Sequence, residues 1–198
     1  MTPPAVPRPF RVGFVTGVTP DKWARAWREQ RREPLELVPL EEDAAEAALR
    51  GGSLDMALVR LPVGRDGMHV VSLYREVPVV VVACEHVVAA YDEVALADLT
   101  DEQFVLGPPA GFEPDTAQLD FVSMSVADAV EVAASGTGVV VLPMSVARLH
   151  HRKDVVHRPV LGLPGTEVGL AWLVAHDDEL TQTFVGVVRG RTARSSRG

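Results

Sequence analysis

The sequence predicts an α/β protein carrying mostly parallel strands. Apolar, β-rich runs alternate with amphipathic segments along all 198 residues, which favours layered helices and strands over a bundle or a sandwich. The run from Val77 to Cys84 is apolar throughout, as expected of a strand covered on both faces. With 47% hydrophobic and 23% charged residues the chain can bury one large or two small cores, so disorder does not describe it as a whole. No repeat of 20 to 50 residues is present.

The first strand reads Phe10 to Val15 and runs into Thr16-Gly17-Val18-Thr19-Pro20-Asp21, where Thr19 suits a helix N-cap and Pro20 the first helical position. Trp23, Ala26, Trp27 and Gln30 share one face of that helix, and Pro34 stops it. Leu35 to Leu40 is a second strand. Glu41, Glu42 and Asp43 open an alanine-rich helix ending at Gly51, followed by a strand from Leu54 to Val59. A turn with Gly64 and Gly67 leads to strands at His69 to Leu73 and Val77 to Cys84, which makes Cys84 a small core residue.

Val94 to Leu99 reads as a short helix, Phe104 to Leu106 as a strand and Gly107 to Gly111 as a loop. Ser125 marks a helix with Val126, Ala129, Val130 and Ala133 on one face, stopped at Ser135-Gly136. Strands at Val139 to Leu142, Val155 to Val160 and Val168 to Val174 follow, with a short helix from Pro143 through Leu149 after the first. Asp177-Asp178 announces a last helix bearing Leu180, Phe184, Val187 and Val188.

Several function classes are excluded by what the residues lack. No run approaches the roughly 18 apolar residues of a membrane helix. Met1 to Pro9 hold four prolines and no apolar core of a secretory signal, so the expectation is a soluble, cytoplasmic protein. A single cysteine allows neither an intrachain disulfide nor a cysteine-rich zinc site. Nineteen Lys+Arg against 27 Asp+Glu give a net charge of -8, which repels a phosphate backbone outside the Arg189, Arg191, Arg194 and Arg197 tail. No cofactor is expected: G-x-S-x-G, a full Walker motif and H-E-x-x-H are absent, and Ser135-Gly136-Thr137-Gly138 follows a helix where a dinucleotide turn follows a strand. His150, His151, Asp154 and His157 alternate with Arg152, Lys153 and Arg158, whose charge opposes a metal ion. Asp55 reads as a turn or capping acid, so no catalytic residue is assigned.

Two places could hold a small anion. Thr16-Gly17-Val18-Thr19 and Ser123-Met124-Ser125 each precede a helix, where free N–H groups and the helix dipole favour a carboxylate. The plainer reading, that each hydroxyl caps its own helix, stays open.

The order of segments resembles the effector-binding domain of LysR-type transcriptional regulators, a type 2 periplasmic-binding-protein fold. Four stretches carry it: Phe10 to Trp27; Ala48-Leu49-Arg50-Gly51-Gly52-Ser53-Leu54-Asp55-Met56-Ala57-Leu58-Val59; Val71 to Val82; and Val132-Ala133-Ala134-Ser135-Gly136-Thr137-Gly138-Val139-Val140-Val141-Leu142-Pro143. The resemblance implies two Rossmann-like lobes joined by two crossing strands, lobe one at 10–83 plus 164–190, lobe two at 84–163, and flexible tails at 1–9 and 191–198. It implies a small organic acid or amino-acid-like effector held between the lobes by Thr16, Gly17, Val18, Thr19, Arg60, Leu61, Gly107, Ser123, Met124, Ser125 and Pro143, with Arg60 as the partner of a carboxylate. It also implies pairing with a partner regulator or as a homodimer built from the first and later helices, a lobe-one helix of one subunit against a lobe-two helix of the other.

Two departures stand out. Only nine residues precede the first strand, so the family's winged helix-turn-helix is not expected here, nor DNA reading in the family's way. The segment between Gly107 and Asp120 also looks compressed. The leading expectation is a non-enzymatic sensor of a small metabolite related to transcription regulation. A regulator touching DNA through its arginine tail, an enzyme reusing the cleft and a fragment of a longer regulator are the alternatives.

Overall fold

The computed structural model describes residues 8–190. In chain order its elements are β1 (Phe10–Val15), α1 (Asp21–Gln30), β2 (Leu35–Leu40), α2 (Ala44–Arg50), β3 (Met56–Arg60), β4 (Met68–Glu76), β5 (Pro78–Ala83), β6 (Val94–Ala95), α3 (Val126–Ala134), β7 (Val140–Pro143), α4 (Met144–Leu149), β8 (Val155–Leu161), β9 (Thr166–Leu173) and α5 (Glu179–Val188). Two compact units result, one running to Tyr74 and resuming at Glu167, the other spanning Arg75–Thr166.

The first unit is built on a five-stranded sheet, β2-β1-β3-β9-β4. β1 lies parallel to β2 and β3, while β9 meets β3 antiparallel. Trp27 and Phe184 are fully buried and Trp23 is nearly so. Phe10 stacks on Trp27 with ring centroids 5.0 Å apart, and Phe184 tilts against both. The Trp pair therefore turns to the core, as its spacing predicts, and leaves Arg25, Arg28 and Arg32 exposed. α5 is stapled by Asp178, whose carboxylate accepts the Thr181 N–H at 2.9 Å while its own N–H donates to the Thr181 hydroxyl at 2.8 Å.

The second unit holds a four-stranded sheet, β6-β8-β5-β7. β5 is antiparallel to both β7 and β8, and only β6–β8 is parallel. The predicted predominance of parallel strands is thus wrong. Strands that return from a distant part of the chain, β8 and β9 among them, enter their sheets in reverse. For the same reason β5 belongs to the second unit, placing the division at Tyr74 and Glu167 where the sequence suggested 83 and 164.

Smaller corrections have local causes. Cys84 is exposed, because β5 ends at Ala83 and the thiol turns to the Lys153 carbonyl oxygen at 3.4 Å. Helix α1 begins at Asp21 with Pro20, not Thr19, as N-cap and with no side-chain cap. Val94 to Leu99 divides into β6 and a 3-10 turn at Leu96–Leu99. Phe104 to Leu106 makes a single bridge, Phe104 to Val139, since the Gln118 side chain rather than a strand takes the Phe104 N–H. The expected tails lie largely outside the described residues, although Arg8 is described and its guanidinium pairs with Asp55.

Two glycines of the Val132–Pro143 stretch have separate duties. Gly136 adopts φ +77° just past the end of α3, a conformation side chains resist. At Gly138 a Cβ would stand 2.5 Å from the Gln103 carbonyl oxygen, the atom that accepts the Val139 N–H at 2.7 Å. Gly138→Ala should therefore push two backbone segments apart and cost about 1–3 kcal/mol. Urea unfolding would show a lower midpoint, and an unchanged midpoint would mean the bridge yields freely.

Candidate functional site

In the first unit the β1–α1 turn places the four residues expected there differently. Gly17 takes φ +86°, Val18 buries its side chain in the core, and the Val18 N–H donates to the Val15 carbonyl at 3.1 Å. Val18 therefore shapes the turn. Thr16 is half-buried and Thr19 exposed, and the first-turn N–H groups of Asp21 and Lys22 lack helical acceptors. Arg60, at the end of β3, is buried and paired with the exposed Glu42 at 2.5 Å, so its charge already has a carboxylate inside the unit. Leu61 packs on the core and donates its N–H to the Glu167 carbonyl at 2.8 Å.

In the second unit a recess of about 370 Å³ brings together three of the expected residues, Gly107, Ser123 and Met124. Its floor is the Phe104-Val105 pair, both buried. Its walls come from the loop after Gly107, which two glutamines hold in place of regular structure. Gln118 accepts the Phe104 N–H at 2.8 Å and donates to the Glu102 and Thr116 carbonyls. Gln103 accepts the Leu119 N–H at 2.7 Å and donates to the Ala117 carbonyl at 3.1 Å. Gln118, Asp120 and Phe121 line the recess and were missed in the sequence, because a loop tied by side-chain amides has no periodicity to read.

Ser125 stands just beyond the recess and caps α3. Its oxygen accepts the Asp128 N–H at 3.2 Å and its hydroxyl donates to the Asp128 carboxylate at 2.7 Å. The capping reading is therefore realised, and the hydroxyl is engaged. Pro143 closes β7 and precedes α4, with the Met144 N–H donating to the Val77 carbonyl at 2.9 Å.

The remaining candidates are structural. The Asp55 carboxylate accepts the Arg11 N–H at 2.7 Å and pairs with Arg8, securing the start of β1. No group of three or more His, Cys, Asp or Glu suited to a metal ion occurs among the described residues. Arg152 binds Asp154 and Glu131, both at 2.9 Å, and its guanidinium holds the Asp154 carboxyl below the usual range.

Burial, followed by the charges of Arg148, His151 and Arg158, pushes the His157 imidazole below its ordinary value of 6.5. The unfolded chain then takes this proton first. The stability that neutral His157 contributes is complete above about pH 6.5 and is lost as pH falls through and below it. Chemical unfolding between pH 7.5 and 5.5 should show a falling midpoint, with a shallower slope in His157→Gln; equal slopes would exclude His157 as a source.

Relatives place this arrangement. The family model described as the LysR substrate binding domain matches residues 9–193. The Hca operon transcriptional activator HcaR of Escherichia coli (strain K12) is 27% identical over 173 residues, which are 80% of this chain and 58% of that protein. The chain thus spans just over half the length of this curated relative. Among solved structures, the BenM effector binding domain with its effector benzoate superposes with a TM-score of 0.78 at 21% identity, covering 98% of this chain and 96% of that one. The reduced OxyR regulatory domain from Pseudomonas aeruginosa gives 0.68 at 23%, covering 92% and 95%. The two sheets with their helices are the type 2 periplasmic-binding-like fold of these domains, and the chain belongs to the LysR substrate-binding-domain family.

Proposed function

We propose that the chain senses a small metabolite, an organic acid or amino-acid-like compound, on behalf of transcription regulation in the cytoplasm, and that it catalyses no reaction. The observation that carries this reading is the family match over 9–193 together with a recess of ligand size that contains Gly107, Ser123 and Met124. Within the first unit, Thr16, Gly17 and Thr19 at the head of α1 are proposed ligand contacts in their own right, with Val18 supporting the turn. Arg60 contributes only if a ligand competes with Glu42. HcaR is a transcriptional activator and BenM takes benzoate, which supports the effector-sensing role and makes benzoate a rational first probe.

A ligand that binds only the folded state raises the melting temperature by mass action. A thermal-shift panel of carboxylates, amino acids, amines and alcohols, followed by calorimetry, should find at least one stabilising ligand. Thr16→Ala should weaken a carboxylate ligand by about 1 kcal/mol for the hydrogen bond lost. A panel without any stabilising member would refute the sensor reading.

The chain is also proposed to pair as a homodimer or with a partner regulator through the exposed face of α1, where Arg25, Arg28 and Arg32 stand clear of the core. Direct, specific DNA binding is not part of its proposed role, given the net charge of -8. The arginines at 191, 194 and 197 lie outside the described residues. Sedimentation at micromolar concentration should give a species near twice 21.3 kDa that charge reversal at Arg25 and Arg28 dissociates and that duplex DNA at physiological salt leaves unchanged. A monomer, or a DNA-bound species, would contradict this.

A further inference from the structure

The charge of this molecule is segregated. Residues 75–166, the second unit, hold 13 Asp and Glu against 5 Lys and Arg, whereas the rest of the chain holds 14 of each. The whole net charge of -8 therefore resides in the second unit. Within it, residues 76–147 contain twelve carboxylates and not one Lys or Arg.

The recess lies inside that stretch. Asp120 is the one charged side chain among the residues lining it, and Phe104, Leu119, Phe121 and Met124 supply apolar surface beside a larger polar share. Two side-chain donors at or beside it are spent. Both hydrogens of the Gln118 amide go to backbone carbonyls, and the Ser125 hydroxyl beside it goes to Asp128. The Asp128 carboxylate also stands in the first turn of α3, where it answers the helix dipole that an anion would use. A carboxylate entering this recess would meet negative potential with no cation among the residues that line it. An ammonium group would meet a counter-ion and a field of the favourable sign, with Phe104 and Phe121 among the lining residues.

We propose that the recess binds the ammonium group of a small organic amine, with Asp120 as counter-ion and Phe121 and Met124 against the apolar part of the ligand. This rests on the sensor reading and narrows it: of the organic-acid and amino-acid-like classes, the recess selects ligands that carry an amino group. Asp120 is exposed, so its replacement leaves the core intact and isolates the charge.

The test is calorimetry on the full chain at neutral pH with butylamine, benzylamine and phenethylamine, each matched to a carboxylate and an alcohol of similar skeleton. The expected result is that amines bind more tightly than their alcohols and carboxylates, and that Asp120→Asn weakens amine binding tenfold or more without changing alcohol binding. Amine binding unaffected by Asp120→Asn overturns the proposal. Carboxylates binding in preference to amines, with dependence on Thr16, also overturn it while the sensor reading stands. Failure of every amine, acid, alcohol and amino acid to bind removes both.

Discussion

Four consecutive valines, Val79 to Val82, hold the second unit together. Strand alternation sends Val79 and Val81 into one core with α3 and α4, and Val80 and Val82 into another with Val88, Leu99 and Phe104. All four are essentially buried, and each contributes about 1.5–3 kcal/mol by leaving water. Because β7 and β8 flank β5, those two strands inherit their positions from it. The floor of the recess belongs to the same system: Phe104 packs in one core and Val105 in the other, and both attach to β7 through Val139. A rigid floor under a loop wall is a common way for a fold to present a variable site.

The first unit shows how local sequence and tertiary packing share the work. β1 and β2 occupy the ranges their apolar runs suggest, and α2 ends at Gly51 as its composition implies. The Trp23–Trp27 face and the Asp178 cap were readable because each is set by residues three or four apart. What could not be read was pairing. Nothing near Val77 indicates that β5 will lie between β7 and β8, since those strands are more than sixty residues away in the chain. Strand direction, the unit to which β5 belongs and the exposure of Cys84 all follow from that pairing.

The candidate site was legible only as a set of positions. Gly107, Ser123 and Met124 could be placed from the family pattern, and the recess unites them. Val18, Arg60 and Ser125 illustrate the limit, because a residue type suited to a ligand is equally suited to its own neighbours. Val18 went to the core, Arg60 to Glu42 and Ser125 to Asp128. Gln103 and Gln118 carried no signal at all, yet they define the loop by supplying the hydrogen bonds a partner strand would have supplied.

A helix N-terminus is an anion site only if nothing else has answered its charge. At α3 the N-cap hydroxyl and the first-turn carboxylate are both present and bonded to one another, so the local device is satisfied within the helix. At α1 the N-cap is a proline with no side-chain cap, and the Asp21 and Lys22 N–H groups have no helical acceptor in the first turn. The two helix starts look alike in sequence but differ in what remains unspent. Fold alone does not set ligand chemistry, and this difference between two similar helix starts is of the kind that does.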